Sequence, residues 1–176
     1  GLGTGVVFDG QVYRGVGGAA GEFGHMTIGR DAPVACAAGS RECWEAFASE
    51  RAALARYAAA AADPDRSRVS FDELMDRALG GEPEARAALL ETGRYLGIGI
   101  ANLVKGLSPE AVILGGRIVR AWTLIEEELK RAVAEYSICR GLPSPRVIVS
   151  SLGEGPRLMG ALSLVLARKF ASALTT

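Results

Sequence analysis

The alternation of apolar and polar positions divides the chain into a glycine-rich opening and a longer, regular remainder. VVFDGQVYR holds two short β-type runs on either side of Asp9-Gly10, a dipeptide that tolerates the positive φ of tight hairpin turns, so a β-hairpin is predicted. GVGGAAGEFG follows, where the backbone must approach something closely, and then a short apolar run from Met26 to Ile28. From Ser40 the pattern turns helical: SRECWEAFASERAALARYAAAAA repeats apolar residues at three and four, with Ser49 capping a second helix after a bend and Asp63-Pro64 as the stop. Ser70 and Glu73 form a capping-box signature ahead of FDELMDRAL, and Gly80-Gly81 ends that helix.

The second half predicts alternating elements. EPEARAALLETGRYLGIGIANLVKGL reads as a long helix, nearly uncharged in its later part and so buried on most sides, with Gly93, Gly97 and Gly99 allowing close packing. SPEAVILGG is a continuous apolar strand of the kind buried in a parallel sheet, and it runs into the amphipathic helix IVRAWTLIEEELKRAVAEYS. RVIVSSLGEG and PRLMGALSLVLARKF repeat that strand and helix in outline. Helix, strand, helix, strand, helix implies an α/β sheet with helices packed on it.

Composition narrows the function classes. At 176 residues and 49% hydrophobic, the chain fills one well-packed domain. Twenty basic residues balance twenty acidic ones, so the electrostatic footprint of a nucleic-acid surface is missing from this piece. Three unevenly spaced cysteines argue against a disulfide framework and fit a reducing, cytoplasmic setting. No apolar stretch approaches the ~20 residues needed to cross a bilayer, so no membrane association is expected. The chain lacks an initiator Met and opens on GLGTG, which normally follows a strand; a fragment is expected.

Two glycine clusters, GLGTG and the LGG ending at Gly116, sit where strands end. Glycine there lets backbone N–H groups reach phosphate oxygens, although each cluster alone also reads as a plain turn. The stretch GEFGHMTIGRDAPVACAAGSRECWEAF carries the only histidine, two of the three cysteines and several glutamates. Its residue types are compatible with a metal site, a sugar site or an ordinary loop. The bland alternatives are a glutamate serving a helix dipole, a structural histidine and cysteines acting as small buried hydrophobes.

GLGTGVVFDGQVYRGVGGAAGEFGH, the loop ending CWEAFAS, GIGIANLVKGLSPEAVILGG and LGEGPRLMGAL, in that order and spacing, resemble the larger C-terminal domain of the ROK family (repressors, open reading frames and sugar kinases) over essentially the whole chain. The resemblance implies an actin-like, ribonuclease-H-type ATPase fold, with a sugar bound in the cleft between two lobes of which residues 1–176 supply only the C-terminal one. It places Glu22, His25 and Glu45 on sugar hydroxyls, Gly3, Thr4 and Gly5 at the ATP phosphates, and Gly115 and Gly116 near the adenosine. Arg117 stands where the kinases commonly have a small residue, a position from which it would narrow the nucleotide pocket or point into solvent.

The resemblance also implies a structural zinc loop, a His followed by C-x-C-G-x-x-G-C. His25, Cys36 and Cys43 match three ligand positions and Gly39 the first loop glycine, but Ala38 stands at the middle cysteine and Glu42 at the second glycine. A closed tetrahedral site wants four N or S ligands, so zinc is expected to be weakened, with water or Glu42 completing the site or the metal dispensed with. Cys139 fits no ligand pattern and reads as a core residue.

The family's catalytic base is an Asp in an Asn-Asp-Ala motif that would precede Gly1, and no such motif occurs here. No catalytic residue is therefore expected in this chain. Two parents follow: a transcriptional regulator whose separate N-terminal helix-turn-helix reads DNA while this domain binds a sugar, or an ATP- and magnesium-dependent kinase of a hexose or N-acetylhexosamine. The departures at Ala38 and Arg117 tilt towards the regulator. Either parent is compatible with homo-oligomerisation through helices that include WTLIEEELKRAV.

Overall fold

Asp9 (φ 49°) and Gly10 (φ 75°) form a turn with two positive φ values, the geometry that matches the twist of paired strands. It joins β1 (Val6–Phe8) to β2 (Gln11–Tyr13) in an antiparallel hairpin with Val7 opposite Val12. The structure, a computed structural model, describes residues 1–60, 68–137, 145–152 and 159–163. Asp63-Pro64 and Cys139 lie outside the described residues, as does most of the last predicted helix, of which residues 159–163 are helical.

The helical stretch predicted from Ser40 begins instead at Trp44. Residues 42–44 are drawn into an extended bridge with 26–28, in which Trp44 N–H donates to Met26 O at 2.8 Å and Ile28 N–H to Glu42 O at 2.9 Å. Helix α1 (Trp44–Ala48) follows, buried along its length. A bend at Ser49 leads into α2 (Glu50–Ala59), and the Ser49 hydroxyl accepts from Ala52 N–H at 3.3 Å. Helix α3 (Phe71–Leu79) opens on the predicted capping box: Glu73 N–H donates to the Ser70 hydroxyl at 3.2 Å, and Ser70 N–H to the Glu73 carboxylate at 2.8 Å.

Helix α4 (Pro83–Leu107) is the axis of the molecule and packs against α1, α2, α3 and α5 (Trp122–Tyr136). Its later part is buried, as the absence of charges predicted. Between α4 and α5 runs β3 (Ala111–Leu114), which pairs in parallel with β4 (Arg146–Val149), Val112 opposite Val147. The helix predicted after Gly116 starts as a tight 3-10 turn, Arg117–Ala121, before α5 proper.

One apolar cluster joins α2, α3 and the first turns of α4 and α5 through Tyr57, Phe71, Leu74, Met75, Leu89 and Ile125. A second joins Trp44, Leu96, Ile100, Leu129 and Val133, and the inward face of the small sheet (Val112, Leu114, Val147) packs on it together with Leu2 and Met26. That second cluster fastens the glycine-rich opening to the helices. Among the described residues no helix is long and apolar enough to cross a membrane.

Candidate functional site

Two segments, the turn of residues 21–25 and the start of α1, converge on the amino-terminal glycine segment. Gly21, which caps the tight turn Glu22–His25, and Gly24 within it lie against the backbone of Thr4 and Leu2, so close that a Cβ on either would meet a carbonyl oxygen. The Thr4 hydroxyl donates to Gly21 O. This is the close approach that the glycine-rich passage predicted, and its object is the GLGTG segment itself. Gly3 and Gly5 face open space, as phosphate-binding backbone requires, while Thr4 has its hydroxyl occupied.

Glu45 closes the arrangement from the other side. Burial pushes its carboxyl up, but the amides of Leu2 (3.0 Å) and Ala37 (2.9 Å), one on each oxygen, outweigh that and hold it below the usual carboxylate range. Glu45 thus ties the GLGTG segment to the cysteine loop. Each oxygen keeps a second lone pair, which is what a sugar hydroxyl would use.

Glu22 and His25 stand at the surface of the turn, Oε2 to Nε2 at 3.9 Å, with side chains 75% and 40% exposed. An exposed carboxylate beside an imidazole offers both acceptors and a donor to a polyol. His25 also belongs to a second group. Its ring nitrogen and the sulfurs of Cys36 and Cys43 all lie within 4.8 Å of one another, and both cysteines are buried free thiols.

Hydrogen bonding from the Cys43 thiol, against the opposing effect of burial and with help from His25 and the amides of Ala38 and Ser40, brings the Cys36 thiol down to about 7; burial pushes Cys43 up. Gly39, at φ 83°, turns the chain so that Cys36 N–H reaches Ser40 O at 2.7 Å. Among the described residues no carboxylate joins the group, and Ala38 supplies no ligand. The donor set fits zinc at three positions and leaves the fourth to an outside ligand.

The position of α1, and of Glu45 with it, depends on contacts that sequence reasoning passed over. Trp44 Nε1–H donates to Tyr95 O at 2.9 Å, and its indole fills the notch at Gly99, where a Cβ would overlap the ring. Phe47 stacks on Tyr95 with ring centroids 4.6 Å apart. Arg56 donates to Phe47 O at 2.6 Å and to the Thr92 hydroxyl at 2.8 Å. The glycines of α4 were the legible signal; Arg56, in an alanine-rich helix, reads as an ordinary surface charge.

At the second glycine cluster Gly116 takes φ 92° and faces open space. Arg117 does not reach freely into solvent. It pairs with Glu50 at the start of α2 and with Asp72 at the start of α3 (3.2 Å), and its guanidinium sits 5.6 Å from the centre of the Phe71 ring.

A model described as the ROK family matches residues 1–168. The xylose repressor of Bacillus spizizenii is 33% identical over 94% of the chain and 42% of its own length. A ROK family glucokinase from Streptomyces griseus, solved with glucose and AMPPNP, superposes with a TM-score of 0.77 at 30% identity, over 93% of this chain and 57% of that one. A ROK family transcriptional regulator, a homologue of the E. coli MLC protein, gives 0.73 at 29% identity over 85% and 39%. The chain spans about half the length of these relatives, or less.

Proposed function

The chain belongs to the ROK family, with the actin-like ATPase fold of its sugar kinases and regulators, and from that premise we propose that residues 1–176 are the C-terminal sugar- and nucleotide-binding domain of a cytoplasmic, sugar-responsive transcriptional regulator. The observation that carries the proposal is the Glu22–His25 pair, exposed on a turn that is itself pinned to the GLGTG backbone. Glu45 holds the adjoining segments in register and offers its remaining lone pairs to the same ligand. DNA contact belongs to a helix-turn-helix outside these residues, and the balanced charge of this domain supports that division. Self-association through α5 is compatible with its exposed acidic and basic face, laced by Arg131 with Glu128 and Glu135.

A kinase parent is the second reading, favoured by the open space over Gly3, Gly5 and Gly116. Bound ATP with its magnesium would supply the phosphoryl group, and these glycines would receive the nucleotide on bare backbone. In either reading His25, Cys36 and Cys43 would hold a zinc ion that fastens the loop behind the sugar site.

Calorimetric titration of the intact protein with D-xylose and with D-glucose tests the sugar site. Saturable binding is expected for one of them, with Glu22→Ala or His25→Ala weakening it at least about tenfold, the cost of one lost charge-assisted hydrogen bond. Unchanged affinity in both variants would sink the assignment. A sugar-dependent change in DNA affinity supports the regulator, and sugar-dependent release of ADP from ATP supports the kinase.

A further inference from the structure

On the face of α1 and α4 behind the sugar loop lies an open cavity of about 440 Å³, within the usual size range of small-molecule sites. Its floor is one stripe of α4, in which Arg94, Ile98 and Asn102 recur at every fourth position beside Tyr95. Its walls are the extended segment Thr27–Arg30 and Tyr136 at the end of α5. The segment Thr27–Arg30 begins two residues after His25, and a further lining residue, Phe47, stands in the same short helix as Glu45. The cavity therefore backs onto the elements that carry the sugar-site residues without using any of them.

The chemistry of the lining is cationic and aromatic. The Arg94 guanidinium donates to the Tyr136 hydroxyl at 2.8 Å and lies 5.6 Å from the centre of the Tyr95 ring and 5.9 Å from that of Tyr136. It is half-buried and held in one orientation before any ligand arrives, which removes much of the ordering cost of binding. Carboxylates stand nearby but face elsewhere: Glu91, one turn earlier on α4, is 3.8 Å from Arg56, and Glu135 is 3.3 Å from Arg131. Among the described residues neither Arg94 nor Arg30, which lines the same cavity, has a carboxylate partner. Arg56, Arg117, Arg120, Arg131 and Arg146 have one, whereas Arg41 and Arg86 are taken up by backbone carbonyls, so Arg94 and Arg30 stand out by combining an unpaired charge with a place on the cavity wall.

We propose that this cavity binds a small molecule bearing a carboxylate or phosphate group, with the oxyanion held between Arg94 and Arg30 and the body of the ligand against the aromatic wall and the Asn102 amide. Planar guanidinium forks match oxyanion geometry bidentately, and a fork already hydrogen-bonded to the Tyr136 hydroxyl and held near two tyrosine rings does so with less loss of freedom. The site is distinct from the sugar site and from the glycine clusters, so it stands or falls independently of them.

The test is isothermal titration of the intact protein with inorganic phosphate, citrate and benzoate, which separate phosphate from carboxylate and bare anion from anion with an apolar ring. Saturable binding of at least one probe is expected. Arg94→Met should weaken it about tenfold or more, the value of one charged hydrogen bond. Arg30→Ala, at an exposed position that burdens no core, should weaken it severalfold and keeps the test open if Arg94→Met fails to fold. Three results would overturn the proposal: no saturable binding of any probe, binding undiminished in both variants, or a change in oligomeric mass by light scattering with probe affinity unaltered, which would make this face a contact between subunits.

Discussion

Residues 1–48 and the helices α2 to α5 are held in shape by different physics. The helical region rests on buried area: Leu74, Met75, Leu89, Ile125 and Leu129 are almost wholly removed from water, and the stabilisation is spread over many contacts. The opening region contains little regular structure and only a small core of its own (Ala32, Cys36, Cys43, Ala46 and Phe47), with Leu2, Phe23 and Met26 packed on the second cluster; much of its shape is fixed at points: two carboxylate-to-amide bonds from Glu45, one indole hydrogen bond, one hydroxyl on Gly21, and glycine backbone laid against backbone. The proposed sugar-site residues Glu22 and His25 and the cluster His25, Cys36 and Cys43 are all in residues 1–48. Point attachment leaves side chains free to face a ligand, which a packed core cannot do, and it makes the site dependent on a rigid surface to which the points are fixed.

The largest predicted effect breaks the helical side alone. Leu74→Ala removes a fully buried side chain from α3 and is expected to cost about 2–5 kcal/mol, read by urea unfolding. Sugar affinity, measured on the folded protein, is expected to stay unchanged, because Leu74 belongs to the cluster that does not touch α1. A matching loss of affinity would show that the two regions are not separable.

Gly99→Ala attacks the joint between them. The added methyl falls inside the Trp44 ring, so the indole must leave its notch and with it the hydrogen bond to Tyr95 O. An overpacking cost of about 1–3 kcal/mol is expected, smaller than that of Leu74→Ala, yet sugar affinity should fall because α1 carries Glu45. Affinity equal to that of the unmutated protein would mean that α1 positions nothing.

What the sequence made legible follows the same division. The helices were readable because their physics is periodic: the Ser70–Glu73 capping box, the Ser49 cap and the uncharged length of α4 stand where the pattern placed them, and the two strands pair in parallel as expected, although Ile113 and Ile148 leave one face of that pair exposed rather than buried. The Asp9-Gly10 hairpin was readable because only a few dipeptides accept its turn. Point attachment has no period. Nothing in the residue pattern says that Glu45 spends an oxygen on Leu2, that Arg56 reaches the carbonyl of Phe47, or that residues 42–44 pair with 26–28 and delay the helix to Trp44. The candidate site residues came from resemblance to a family, and the structure adds how they are brought together.

Metal removal probes the attachment of the loop. If His25, Cys36 and Cys43 hold zinc, protein purified without chelator should contain close to one equivalent by elemental analysis. Chelation should then lower stability by about 1.4 kcal/mol where free metal had stood at tenfold its Kd, with Cys36→Ser removing both the metal and the effect of chelator. Ala38→Cys, which restores the fourth ligand, should tighten zinc. A folded loop with no metal and no response to chelator would leave Cys36 and Cys43 as buried thiols whose packing alone closes the loop.

The smallest effect belongs to Arg117, and it decides how the second glycine cluster is read. Its guanidinium bridges Glu50 and Asp72 while Arg120 bridges Asp72 and Asp76, a surface network whose members are a third to two-thirds exposed. Pairs of this kind contribute about 0–1 kcal/mol and weaken with salt, so Arg117→Ala should shift the unfolding midpoint slightly at low ionic strength and hardly at all in 1 M salt. A bulky residue after Gly116 would matter to a nucleotide only if it occupied the space beside that glycine, and here the side chain is committed to the amino-terminal turns of α2 and α3 instead. ATP affinity of the intact protein, by the same titration, is therefore expected to be the same with alanine at 117. A gain of severalfold would show that the arginine leaves Glu50 and Asp72 to obstruct the site, and would turn a surface clip into a gate.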